Sequence, residues 1–254
     1  MEPVESSLDR NHSGWAGPIE QIAITEVPAG ATNLNLEGHR LVNPLHGFGP
    51  LWQKTYQIRL PGTGKTAAEV MRVWKERFPE FHPAESRFYP SLAGIHPGEV
   101  LFIDGTVPAL PNTPSILPVS SGVMVLYEDE TSFTVMTPEG FPESGWNTFS
   151  VSEIDGCLYA QVQSMARTTD PIYEFAFRFM GSSEQQEKIW RHVLTHLAAV
   201  FGVEGENVTQ DKKCLDPKIQ WSQAKNIWRN AGVSTIIYKM AAPLRWISLK
   251  VKRR

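Results

Sequence analysis

Cysteine is almost missing from this chain, which contains only Cys157 and Cys214. Two isolated thiols build no disulfide scaffold, and without a C-x-x-C pair they build no structural zinc site. They fit a reducing compartment. No apolar run approaches the ~20 residues that a membrane-spanning helix requires. The N-terminus, Met1-Glu2-Pro3-Val4-Glu5-Ser6, is acidic and polar, unlike a secretory signal. These absences together predict a cytoplasmic protein.

Nucleophile and metal motifs are lacking as well. There is no G-x-S-x-G elbow, and neither cysteine sits at an electropositive helix start. His192 and His196 have the i, i+4 spacing of two zinc ligands. Val193 occupies the place of the zincin glutamate, however, and no third ligand is evident. No metal and no cofactor are therefore expected, and no nucleic-acid partner. Internal repeats and low-complexity segments are also absent.

A phosphate-binding loop is only partly present. Gly62-Thr63-Gly64-Lys65-Thr66 lies between a strand pattern and a helix pattern, but the first glycine of G-x-x-x-x-G-K-[ST] is replaced by Arg59. Val100-Leu101-Phe102-Ile103-Asp104 imitates the strand and aspartate of a nucleotide site. The chain downstream lacks the alternating β-α units that a P-loop fold needs. A turn closed by a helix cap explains these residues, and nucleotide binding through Gly62 to Thr66 is the minor alternative.

What the sequence does contain is an ordinary core and an uneven charge. Hydrophobic residues at 41% and charged residues at 20% suit a globular protein. From Lys212 to Arg254 there are eleven Lys/Arg and one acid, Asp216, so that segment carries +10 and residues 1–211 carry −13. A basic tail of this kind either folds onto the acidic body or touches an anionic surface. Its end, Leu244 to Arg254, mixes Trp246, Ile247, Leu249 and Val251 with five cations, which suits peripheral contact with an anionic membrane.

Four successive strands dominate the middle: Gly122–Tyr127, Ser132–Met136, Trp146–Val151 and Cys157–Gln163. Short turns of Asp, Glu, Pro and Gly separate them, which makes neighbours antiparallel. Earlier, Phe48–Leu60 reads as a strand, Thr66 with Glu69 as a capping box, and Ala67–Phe78 as a helix with an apolar stripe. Glu99–Asp104 is a short strand. Val107–Pro118, with four prolines, reads as a loop. Asp170-Pro171 caps a helix whose Ile172, Phe175, Ala176 and Phe179 share a face. Ser183 with Gln186 forms a second capping box for the long helix Glu184–Phe201, which Gly202 ends. Asp216-Pro217 opens further helix toward Asn230, and Ser234–Ala241 is helical. Within residues 1–45 only Gln21–Val27 shows a strand pattern, and that arm holds little core of its own. The expected organisation is an N-terminal extension (1–45), a ligand-binding body (46–204) and a basic helical extension (205–254).

The order strand, helix, strands, long helix resembles the START-like (SRPBCC, helix-grip) superfamily. The local stretch Phe133-Thr134-Val135-Met136-Thr137-Pro138-Glu139-Gly140-Phe141-Pro142-Glu143-Ser144-Gly145 is similar to the G-x-P-x-x-G hairpin of an uncharacterised bacterial group within it. Thr137 and Phe141 replace a leucine and a histidine of that group's segment, and Glu139 is extra. The resemblance spans roughly residues 48–203. It implies an α+β fold in which a curved antiparallel sheet wraps a long C-terminal helix, with a cavity between them for an apolar lipid, polyketide or isoprenoid-like molecule. The alternative is a cyclase, dehydratase or isomerase acting in the same cavity. Glu139 and Tyr89 are its candidate acid–base residues. Candidate ligand-binding residues are Arg87, Tyr127, Trp146, Gln163, Phe175, Phe179 and Trp190. Alternation on the last strand leaves two inward faces open, Tyr159/Gln161/Gln163 or Leu158/Ala160/Val162. The second is favoured, because buried amides need partners. The sequence leaves oligomeric state undetermined.

Overall fold

The computed structural model describes residues 14–108 and 115–242. Eight strands form one antiparallel sheet: β1 (Leu51–Leu60), β2 (Ser86–Tyr89), β3 (Val100–Pro108), β4 (Ser115–Glu128), β5 (Ser132–Met136), β6 (Glu143–Ile154), β7 (Cys157–Thr168) and β8 (Thr209–Asp216). Their spatial order is β2-β3-β4-β5-β6-β7-β1-β8. Register shifts in β1/β8, β3/β4 and β4/β5 bend it. The α-helices among the described residues are α1 (Ala67–Glu76), α2 (Pro171–Phe179), α3 (Ser182–Val200) and α4 (Ala231–Met240). The concave face grips α1 and α3, which is the arrangement that the resemblance implied.

The inner face follows the apolar alternation. On β7, Leu158, Ala160, Val162, Ser164 and Ala166 are buried, while Tyr159, Gln161 and Gln163 lie on the other face. From the helices, Val70, Met71 and Trp74 of α1 and Trp190, Val193, Leu194 and Leu197 of α3 join the same core. Burying each such side chain contributes about 1.5–3 kcal/mol. Trp190 and Leu194 are thus central to the helix interface. A second, smaller core lies on the outer face, where Ile22 and Leu36 of the N-terminal arm meet Val100, Phe102 and Met124. The arm therefore contributes core, and Gln21–Val27 forms no strand.

Local signals set most element ends. Thr66 accepts a hydrogen bond from the Glu69 N–H at 3.2 Å, and the Glu69 carboxylate accepts one from the Thr66 N–H at 2.9 Å. Lys65 pairs with that same glutamate at 3.4 Å. The Gly62–Thr66 stretch is thus a turn and cap. Thr66→Ala should lower stability by about 1 kcal/mol, the scale of a lost cap. Lys65→Ala should change stability little, because the pair is solvent-exposed. Equilibrium urea unfolding of the two variants measures both. Asp170 caps α2 by accepting from the N–H groups of Ile172 (2.8 Å) and Tyr173 (3.0 Å).

Three expectations are corrected. Pro118 lies in β4, opposite Thr106, not in a loop. A proline fits there because β5 pairs with β4 only from Met124 onward, so this half of β4 has a strand on one side only. The second capping box does not form: Gly181, at φ 80°, is the N-cap of α3 with no side-chain bond. Gln186 is instead drawn toward the sheet. The segment after α3 is not helical throughout, since Thr209–Asp216 pairs with β1 as an edge strand. A 3-10 segment, Trp221–Arg229, and α4 follow. Helix α4 closes the free half-edge of β4, where the Ser120 N–H donates to Thr235 Oγ1 at 3.1 Å and Asn35 Nδ2 donates to the Ser120 carbonyl at 2.8 Å. No helix among the described residues is long and apolar enough to cross a membrane. Leu244–Arg254, with the expected membrane contact, lies outside the described residues.

Candidate functional site

Between the concave sheet and α3 the packing leaves a cleft with about 150 Å³ of free space. Strand alternation builds its floor from Ile103 of β3, Val119, Ser121 and Val123 of β4, and Asn147 and Phe149 of β6. Helix α3 supplies the roof with Gln185, Ile189 and Trp190, and Phe177 of α2 closes one end. An apolar space of about 150 Å³ admits a ring the size of benzene. The lining is mostly apolar, with a few polar groups placed around it, the usual make-up of a small-molecule site.

Two of the polar groups have unused hydrogen-bonding capacity. Ser182 Oγ and Trp190 Nε1 are buried and find no partner among the described residues. Such groups carry a desolvation cost that a bound acceptor or donor relieves. At the α2 end a chain of polar side chains crosses the cleft. Lys54 Nζ donates to Gln186 Oε1 at 2.6 Å, and Gln186 Nε2 donates to the Glu143 carboxylate. Lys54 Nζ also stands 5.5 Å from the centre of the Phe177 ring. Nearby, burial holds the Tyr56 phenol well above its ordinary range, and the charge of Glu143 adds to this.

Behind the cavity wall sits His82, buried, with its ring 4.0 Å from that of Phe88 and 6.0 Å from that of Trp190. Neither ring nitrogen finds a partner among the described residues. Burial pushes its pKa down to about 3, and the neighbouring His192 pushes in the same direction. His82 is a neutral structural ring at ordinary pH.

Of the residues singled out from sequence, the cavity lining includes Trp190 alone. Glu139 lies in the β5–β6 turn, where its carboxylate pairs with Arg229. Tyr89 packs against the outer core, and Arg87 is exposed on β2. Tyr127 meets Trp15 at a tilt, with ring centres 4.8 Å apart, and donates to Asp129 at 2.9 Å. Trp146 pairs across the sheet with Met136 and Met165 on the outer face. Gln163 donates to Thr55 at 3.2 Å on that same face. Phe175 and Phe179 lie against each other at a tilt, with ring centres 5.2 Å apart, and are both more than half exposed. The expected common face of α2 therefore points to solvent, while Tyr173 and Phe177 point inward. Two carboxylates do line the cleft, Glu85 and Glu143, and Glu143 is the last acid of the G-x-P-x-x-G stretch. Its inward direction could have been read by counting strand alternation back from Phe149.

No protein-family model matches this chain, and no curated protein matches it. Solved structures do. Protein Ms6760 from Mycobacterium smegmatis is 14% identical over 58% of this chain and 92% of its own, with a TM-score of 0.40. Major latex-like protein 151 from Panax ginseng is 11% identical over 58% of this chain and 98% of its own, with a TM-score of 0.36. The di-domain ARO/CYC StfQ from the steffimycin biosynthetic pathway is 12% identical over 61% of this chain and 53% of its own, with a TM-score of 0.42. Similarity this distant leaves the chemistry of the cleft to be argued from its own residues.

Proposed function

We propose that this protein binds a largely apolar small molecule, lipid, polyketide or isoprenoid-like, in the cleft between the sheet and α3. One observation carries the reading: a mostly apolar cleft between the sheet and α3, bordered by buried polar groups that find no partner among the described residues. A core that served stability alone would be filled, since each unfilled methyl-sized space costs about 1 kcal/mol. The alternative of a cyclase, dehydratase or isomerase has lost the acid and base suggested for it, because Glu139 and Tyr89 lie away from the cleft. Binding is the reading that the lining supports.

The test fills the cleft from its floor. Val123 is buried on β4 and faces the space, so Val123→Phe should occupy it. The neutral fluorophore N-phenyl-1-naphthylamine is the probe. Wild-type protein should bind it, and Val123→Phe should weaken binding at least tenfold with little change in melting temperature. Wild-type protein that does not bind it, or equal binding by both proteins, would overturn the proposal.

A further inference from the structure

We infer that the cleft continues past Gln186 into an anion-binding subsite built around Lys54 and Lys212, so that the ligand is an amphipathic organic anion. This rests on the cleft reading above and specifies the ligand's chemistry. A second hollow of about 210 Å³ lies beside the first, between β1, β7, β8 and α2. Glu143 and Phe177 line both hollows. Each is smaller than the ~300 Å³ at which small-molecule sites usually begin, and joined they reach that size. What separates them is the Gln186 side chain reaching from Lys54 to Glu143, together with the Phe177 ring. An amide that swings about its own side-chain torsions is a light partition.

The charges in the second hollow identify what it holds. Lys54 on β1 and Lys212 on β8 are direct cross-strand partners, and both line it. Like charges directly opposite each other destabilise a sheet. The charge of Lys54 helps to push the Lys212 pKa down, after burial as the larger cause. Lys54 is only 5% exposed, and its ammonium donates to a neutral amide instead of forming an ion pair with any described carboxylate. Buried ammonium groups are ordinarily paired. The acids around the hollow are already engaged. Glu174 pairs with Arg178 and accepts from Thr168, each at 2.6 Å, Glu143 accepts from Gln186, and Glu187 pairs with Lys212. A carboxylate or sulfonate seated beside Lys54 supplies the anion that this ammonium lacks among the described residues, with Lys212, which also pairs with Glu187, as the second cation, while the apolar body of the same molecule enters the first hollow.

The experiment uses two probes with the same aromatic body: N-phenyl-1-naphthylamine, which is neutral, and 1-anilinonaphthalene-8-sulfonate, which is anionic. The full chain should bind the sulfonate at least tenfold more tightly. Lys54→Met and Lys212→Met should each remove most of that preference and leave the affinity for the neutral probe within about twofold. Lys212→Met relieves the like-charge contact with Lys54 and also removes the pair with Glu187, so the melting temperature without ligand should change little, and the variant serves if Lys54→Met folds poorly. Equal affinity for both probes in wild-type protein, or a preference unchanged in Lys212→Met, would overturn the subsite and leave the cleft reading intact. Failure of the neutral probe to bind would instead overturn the cleft reading.

Discussion

Phe149→Ala is expected to lower folding stability by about 3–5 kcal/mol, the range for truncating a buried aromatic ring. Phe149 is 1% exposed on the inner face of β6. Its ring stacks on Phe133 at 4.5 Å and meets Trp74, Phe78 and Trp190 edge-on at 5.6, 5.2 and 5.7 Å. Aromatic pairs in such orientations are each worth about 0.5–1.5 kcal/mol beyond the area they bury. The neighbours cannot collapse into the gap, because Phe133 is fixed on the adjacent strand and Trp74 and Trp190 belong to separate helices. The truncation also enlarges the ligand cleft, since Phe149 forms part of its floor. Phe149→Leu, which keeps most of the volume, should cost markedly less. Urea unfolding measures both variants. A loss under 1 kcal/mol in Phe149→Ala would mean that the aromatic cluster is not the core of the fold.

Acidification is expected to destabilise the protein through His82 as the pH falls below about 6.5. The ordinary imidazole value is 6.5, and burial with the nearby His192 lowers it to about 3 in the folded chain. Above the unfolded value the ring is neutral in both states and contributes no pH dependence. Between the two values the unfolded chain binds a proton that the folded chain refuses, so stability falls as pH falls. One proton corresponds to at most about 1.4 kcal/mol per pH unit. His192 acts in the same direction, because burial and then His196 lower its pKa. His82→Phe keeps a flat ring among Phe78, Phe88 and Trp190 and removes the titration. Unfolding free energies of the two proteins at pH 7 and 4.5 give the comparison. Carboxylate titrations are common to both and cancel in the difference. The variant should lose less stability than wild type over that interval, and equal losses would show that His82 accepts a proton while folded.

The candidate site was less legible than the fold. Reading residues by chemical type favoured large aromatics and amides, and most of those named proved to face outward. Membership of the cleft depends on strand parity and on which face the helices cover. Val123 and Phe149 look like ordinary strand residues, Asn147 has no motif, and the motif that Gln186 matches is a helix cap. Glu139 drew attention as an extra acid in a hairpin, yet Glu143, four residues on, is the one that alternation turns inward.

The sequence by itself determined what short-range physics determines. Thr66 with Glu69 and Asp170-Pro171 mark helix starts because a side chain satisfies backbone N–H groups a few residues away. The meander from β4 to β7 is readable because its turns are short and its strands are rich in β-branched and aromatic residues. Tertiary structure alone decided the rest. Thr209–Asp216 is polar and nearly all exposed, so it shows no burial pattern, and it becomes a strand only because β1 offers a free edge. Ser183 and Gln186 have the spacing of a cap, but Lys54 and Glu143 compete for that glutamine and win it. Ile172, Phe175 and Phe179 form an apolar face that the described structure leaves exposed, because α2 turns Tyr173 and Phe177 inward. Lys54 and Lys212, 158 positions apart in the sequence, meet in a register that no local rule encodes; pairing between distant strands is set by which edges remain unfilled once the core has closed.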